Sequence, residues 1–431
     1  MKHYDIILKL STALLVLVFT GLNFVAHTQE HGWEQMSSMN IGRYRAASCV
    51  IDNKIYVFGG ETGMTSITAS VEIYDTVNNE WIPANNMPLS NTLISLSKVS
   101  DEIFLMGGWT TTEGNPHSVN TNLLYDPEAD SYSERQSVPL NIGFAASCVF
   151  NNLIYTFGGF ADFGENENKS WIYDPNTDKW DSICDMKYQL GDATAQVINN
   201  KIYVVGGLDN ELNISGKVEM YNPGTDSWEE KEELPHPVTA HKSVVHNDKI
   251  LVFGGDTGYW ESSYSTGSNL IQEYDPAENT WKIKHGMPFK RAGMACEKVG
   301  KYVYIIAGKE NSRNFNEPIL SEVWRFNLDS LKAPVATNVL ENKISNNFTL
   351  HQNYPNPFRE YTQIKYDLQR EGVVKLQVFN FLGQEITTLV NKYQSPGSYE
   401  VTWNAKNVKP GIYFVKLQAG DFGQAKKVVV Y

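Results

Sequence analysis

Three arginines, one histidine and one aspartate are the residues of this chain best suited to chemistry. Arg43, Arg45 and Arg291 could clamp a carboxylate through paired N–H donors. His241 with Asp192 has the composition of an acid–base pair. Trp109, His117, Tyr259, Trp260 and Tyr264 could stack on sugar rings or on peptide side chains. Other chemistries lack their residues. His236, His241 and His246 lie five apart, so along a strand neighbours point to opposite faces, which is poor geometry for one metal. The acidic stretches 162–167 and 209–211 lack the ligand spacing of a calcium loop. No cysteine spacing fits zinc or haem, and there is no nucleophile motif, phosphate loop or dinucleotide fingerprint. The expectation is no metal and no cofactor.

Whether these groups meet depends on the elements that carry them. A Gly-Gly or Ala-Gly pair closes an apolar run at Gly59, Gly107, Gly158, Gly206, Gly254 and Ala307, and an aromatic stands 26 residues before each: Trp33, Trp81, Tyr132, Trp180, Trp228 and Trp281. From pair to next aromatic the distance is 22, 25, 22, 22 and 27, so each unit has a rigid part and one elastic loop. In the first unit, residues 45–50 read as a strand, 52–54 as a turn, 55–58 as an apolar strand, 71–75 as an alternating strand, and Trp81 opens a fourth. Four short strands cannot cover both faces alone and must stack on neighbours as propeller blades do, with the aromatics buried between them.

The apolar run, the Gly pair, the Tyr-Asp and the Trp after a fixed gap resemble the kelch repeat across about Trp33 to Asp329. The sixth unit lacks its aromatic, because the position six past Asn327 is Ala333. Trp33 begins a strand with no preceding unit, so the N-terminal strand is expected to complete the sixth blade. The fold class is all-β: a six-bladed kelch β-propeller closed by the N-terminal strand, followed by a small C-terminal Ig-like β-sandwich. Equivalent cysteines on separate blades, Cys49, Cys148 and Cys296, read as buried small hydrophobes, with Cys184 apart from them.

Strand direction puts the elastic loops on the face where one blade connects to the next. Position four past each Met or its equivalent, at Arg43, Asn91, Ile142, Leu190, Val238 and Arg291, is expected to face the channel there. Sialate-binding kelch enzymes are the precedent that the resemblance supplies for an arginine clamp. The competing reading, favoured by the acidity of the ring, pairs these arginines with acidic loop residues, and the loop aromatics equally read as local packing. Kelch copper oxidases need Tyr, Cys and His to converge, and no unit offers that set.

The two ends differ from the middle. Residues 1–28 read as a secretory signal, with Lys2 and Lys9 ahead of an apolar stretch from Leu10 to Phe19. Residues 29–330 are the propeller and 331–345 a polar linker. Residues 346–431 contain 10 Lys+Arg and 6 Asp+Glu, a net +4, so the remainder of a chain at −13 carries −17. An acidic propeller argues against nucleic acid or anionic membrane as partner. Short alternating strands between glycines follow from residue 346. Asn353, Tyr354, Pro355, Asn356, Pro357 and Phe358, then Gly383, Gly411, Lys426 and Lys427, resemble the type A C-terminal sorting domain of the type IX secretion system of Bacteroidota. That resemblance implies export by the type IX machinery to the medium or the outer-membrane surface, with no membrane span after signal removal. The expected role is a binding module for extracellular glycan or protein. The alternative is a carbohydrate-active enzyme, a sugar mutarotase or lyase, that uses the channel mouth.

Overall fold

Ile55-Tyr56-Val57-Phe58 is apolar and aromatic throughout, and all four residues are buried, as a strand covered on both faces must be. It lies between an inner strand, Ala47–Ile51, and a third strand, Val71–Asp75, and Glu80–Ala84 completes an antiparallel sheet of four. The computed structural model describes residues 32–63, 66–112, 115–161, 166–211, 213–257, 267–311, 317–332, 348–368, 371–380, 385–419 and 422–431. The expected leader and most of the linker lie outside these residues, as do Tyr259, Trp260, Tyr264 and Gly383.

Among the described residues the repeats form six such sheets. Their inner strands are Ala47–Ile51, Ser95–Val99, Ala146–Phe150, Thr194–Ile198, Lys242–His246 and Ala295–Val299. Each contacts the next, and the last contacts the first, which makes a closed ring around an axis. The sixth sheet borrows its outer strand from the other end of the chain. Trp33–Met36 pairs with Leu320–Asn327, with Trp33 opposite Phe326.

The aromatic 26 residues before each pair is not simply core. Only Trp33 is fully buried. Trp81, Tyr132, Trp180, Trp228 and Trp281 are half-buried, because each keeps a polar edge for the neighbouring sheet. Trp81 Nε1 donates to Ser37 O at 2.9 Å, Trp180 to Gln136 O at 2.9 Å, Trp228 to Cys184 O at 2.8 Å, Trp281 to Glu232 O at 2.8 Å, and the Tyr132 hydroxyl to Asn85 O at 2.9 Å. The N–H of the same five residues donates to Asn79, Asp178, Asp226, Asn279 and Asp130 respectively. Each of those side chains also accepts from the Tyr hydroxyl of its own third strand, as Tyr74 to Asn79 at 2.6 Å. Five joints are therefore stapled through both backbone groups of one residue. The joint between sheets five and six differs. The third strand of sheet six ends at Asn327 and carries Phe326 where the others carry Tyr. Trp33 Nε1 is buried with no hydrogen-bond partner, and its ring packs on Phe289 at 5.5 Å and Phe326 at 4.7 Å.

The Gly pairs turn each second strand into its loop. Gly59 has φ +57°, and a Cβ there would come within 2.1 Å of Asn91 O. Ala307 takes the same left-handed conformation, φ 58°, which costs roughly 1 kcal/mol beyond glycine.

Residues 348–431 build two further sheets. Phe348–Leu350, Tyr361–Leu368 and Gly397–Asn404 form one; Glu385–Gln394, Gly372–Asn380, Gly411–Ala419 and Phe422–Val430 form the other. In Tyr361–Leu368 every second residue turns inward, from Thr362 to Leu368. Both sheets contribute to one core that includes Ile364, Tyr366, Leu376, Trp403 and Leu417.

Candidate functional site

Each elastic loop begins beside the connection that enters the next inner strand. Glu61 pairs with Tyr44, Trp109 with Thr92, Leu208 with Gly191, Asp256 with Thr239 and Lys309 with Ala292. The loops and the channel entrance therefore share one face. At that entrance six residues, one per sheet, adopt left-handed backbone: Arg45, Leu93, Phe144, Asp192, Ala240 and Gly293, with φ between 50° and 60°. Their backbone groups are joined around the axis. Leu93 N donates to Arg45 O, Phe144 N to Leu93 O, Asp192 N to Phe144 O, Gly293 N to Ala240 O and Arg45 N to Gly293 O, at 2.7 to 3.3 Å. One link departs. Ala240 N donates to the Asp192 carboxylate at 2.9 Å rather than to the Asp192 carbonyl.

This ring stands two residues past the positions expected to face the channel. Arg43 and Arg291 do not face it. Arg43 is fully buried and donates to Gly59 O at 3.1 Å and Glu72 Oε1 at 2.8 Å. Arg291 donates to Ala307 O at 3.2 Å and Glu322 Oε2 at 2.9 Å, with its guanidinium over the Phe289 ring. Asn91 repeats the first contact, from Nδ2 to Gly107 O at 2.8 Å. In these three sheets the side chain at this position props the carbonyl of the turning pair. Burial lowers both arginine pKa values, and the partner carboxylates oppose that shift. No carboxylate clamp forms from these two residues, because each guanidinium is already paired inside its own sheet.

Arg45 is the arginine at the mouth. Its guanidinium lies over the Tyr44 ring at 4.7 Å and the Phe144 ring at 5.0 Å, and Nη1 is 3.5 Å from Glu61. Burial works against its charge, but Tyr44, Glu61 and Asp192 outweigh burial and raise its pKa. Asp192 shares the mouth with Arg45 and His241. Burial raises the Asp192 pKa, against the pull of Arg45 and of its bonds to Thr239 and Ala240. His241 is buried, its Nε2 lies 3.2 Å from Thr194 Oγ1, and burial pushes its pKa down to about 3. Asp192 and His241 do not bond to each other. The expected acid–base pair is therefore absent: the aspartate completes the mouth ring and the neutral histidine packs beneath it.

Trp109 is half-buried. It lies over Gly143, where a Cβ would come within 2.2 Å of its Cδ1, and against Phe160 at 5.9 Å. Phe160 in turn meets the Phe144 ring at 6.4 Å. Trp109, Phe160, Phe144 and Arg45 thus run as one row from the second loop to the mouth. His117 is half-buried in the hairpin opposite Thr110. Among the described residues no three His, Cys, Asp or Glu side chains converge as metal ligands.

Below the mouth the axis is an open cavity of about 470 Å³ lined by all six inner strands. Lys98, Lys242, Glu297 and Lys298 face it. Ser48 Oγ donates to Glu297 Oε1 at 2.7 Å, and burial raises the Glu297 pKa to about 7. Sequence reasoning missed Phe144, Lys242 and Glu297. The signal was positional, once the mouth is placed correctly: Phe144 is the mouth residue of its sheet, and Lys242 and Glu297 stand two and four residues past theirs.

In the C-terminal sheets the expected sorting residues hold the last strand. Asn353 is buried and donates to Pro355 O and Thr362 Oγ1. Asn356 Nδ2 donates to Lys427 O and its Oδ1 accepts from Val429 N. Phe358 enters the core against Trp403 at 5.4 Å, while Tyr354 is 81% exposed. Gly411 starts a strand beside the one that carries Lys426 and Lys427. Among the described residues no helix is long and apolar enough to cross a membrane.

Comparison with known proteins agrees with this architecture. The Kelch motif matches residues 42–88, and the Attractin/LZTR1 beta-propeller matches 103–329, just over half of the chain. The secretion system C-terminal sorting domain matches 352–431, which points to type IX secretion and the cell surface. Beta-scruin of Limulus polyphemus is 26% identical over 155 residues, 35% of this chain and 17% of that protein. Human Kelch-like protein 38 is 26% identical over 127 residues, 30% of this chain and 20% of that one. The chain thus spans about a fifth of the length of the curated relatives it matches. A solved structure titled "Structure of YjhT" superposes with a TM-score of 0.60 at 14% identity, over 67% of this chain and 95% of that one, which shows a shared fold. From motif, ring and tail together, the chain belongs to the Attractin/LZTR1 beta-propeller family of kelch-type propellers and ends in a type IX secretion sorting domain.

Proposed function

We propose that this secreted kelch propeller is a binding module whose loop face takes an extracellular glycan or protein. One observation carries the reading. On the face where all repeat-length variation falls, a row of half-buried aromatics, Trp109, Phe160 and Phe144, ends on Arg45 at the channel mouth. Aromatic faces beside an arginine suit a sugar ring or a peptide side chain, and such residues recur as binding hot spots. The sorting tail supplies the address, either release or attachment at the outer surface. Glycan-array and surface-protein screens with the mature chain test the reading. Phe144→Ala and Arg45→Ala should each weaken a captured ligand by roughly 2 kcal/mol, with the melting temperature little changed. Ligand capture that both variants leave intact would remove the mouth from the binding site.

A further inference from the structure

We propose that the channel interior, apart from the loop face, binds a small oxyanion at Lys242. The chain outside its C-terminal region carries −17, yet its axis is cationic. Arg45, Lys98, Lys242 and Lys298 line the axis against Asp192 and Glu297, with Glu61 paired to Arg45 at the mouth at 3.5 Å. The neutral polar groups of the wall are engaged with one another. Ser147 Oγ donates to Leu96 O at 3.0 Å, Gln196 Nε2 to Ser243 O at 2.8 Å, and Ser243 Oγ to Thr194 Oγ1 at 2.8 Å. The lysines are not so engaged. Among the described residues no carboxylate lies within ion-pair distance of Lys98, Lys242 or Lys298. The walls are β-sheet of low dielectric, which focuses a field along the axis and concentrates small counter-ions there. Exposed Lys298 marks an opening to solvent at the end away from the loops.

Glu297 makes the site pH-sensitive. The charged groups that face it from the surrounding strands are Lys98 on the second, Lys242 on the fifth and Lys298 beside it on the sixth. The first, third and fourth strands offer Ser48, Ser147 and Gln196 there, and burial keeps the Cys49 and Cys296 thiols protonated. A proton on Glu297 leaves the lysines unopposed. Its loss, near pH 7, sets a carboxylate beside Lys242 in competition with the ligand.

Titration calorimetry of the mature protein with inorganic sulfate, whose charge is constant across this range, tests the proposal. At low ionic strength sulfate should bind at pH 6 and about tenfold more weakly at pH 8. Lys242→Met should abolish binding, Lys298→Met should weaken it about tenfold, and Glu297→Gln should make it independent of pH. Absence of sulfate binding by the native protein overturns the site, as does native affinity in folded Lys242→Met. Should that variant not fold, unchanged affinity in Lys298→Met, an exposed and tolerant position, overturns it equally.

Discussion

The rim and the hub of the ring repeat in different currencies. At the rim, side chains repeat: an aromatic N–H or O–H and an Asn or Asp clamp one residue of the neighbouring sheet in five joints. At the hub, backbone repeats and side chains do not. The six mouth residues share one conformation and one hydrogen-bond ring, yet read Arg, Leu, Phe, Asp, Ala and Gly. A position whose side chain recurs is needed by the scaffold. A position held by its backbone alone leaves its side chain free for a ligand.

The largest effect should come from the one joint that breaks the rim pattern. Trp33→Ala removes the ring that seals sheets five and six and should cost about 3–5 kcal/mol. Trp180→Ala, at a half-exposed stapled joint, should cost clearly less. Thermal melts of the two variants decide this, and equal losses would show that the unstapled joint is no weaker point.

Next comes the contrast between Arg43 and Arg45, two residues apart. Arg43→Met leaves Glu72 buried without its cation and should cost about 3 kcal/mol or more, with no direct effect on a ligand. Arg45→Met should stay within about 1 kcal/mol in stability, because its nearest carboxylate is 3.5 Å away and both groups are partly solvated. If denaturant titration shows the reverse order, the division between scaffold and mouth fails.

Glu297 sharpens the hub further. Its folded pKa is raised from 4.5 to about 7 by burial. The stability it contributes is therefore fully present below about 4.5 and is lost as pH rises through 7. Melting temperature should fall from pH 5 to pH 8, by an amount worth at most about 3 kcal/mol, and Glu297→Gln should flatten that profile. A parallel profile in the variant would place the titration elsewhere.

The smallest effect belongs to Asp192. Asp192→Asn retains an oxygen for Ala240 N and should be nearly neutral, whereas Asp192→Ala opens one link of the mouth ring at about 1 kcal/mol. Equal losses in both would mean that charge, not the hydrogen bond, holds the link.

Much of the rim was legible in sequence, because its 26-residue spacing repeats side chains and spacing is what a sequence displays. The hub was not. Counting four from each Met assigned the channel to Arg43 and Arg291, and the strand was read from residue 45, whereas it starts at Ala47. The left-handed turn at Arg45 breaks the alternation that such counting assumes, so residues before and after it face different surroundings. The same limit applied to Asp192 and His241, which stand near each other in the ring but are each held by a different neighbour.

By itself the sequence determined the repeat, the four strands per unit, the borrowed outer strand at Trp33 and the sorting tail, since all of these are patterns of type and spacing along one chain. Tertiary structure alone decided which arginine meets solvent, which carboxyl keeps its proton and that an acidic protein has a cationic axis. Those properties depend on distances between strands of different sheets, and burial and Coulomb interaction act across those distances whatever the separation along the chain.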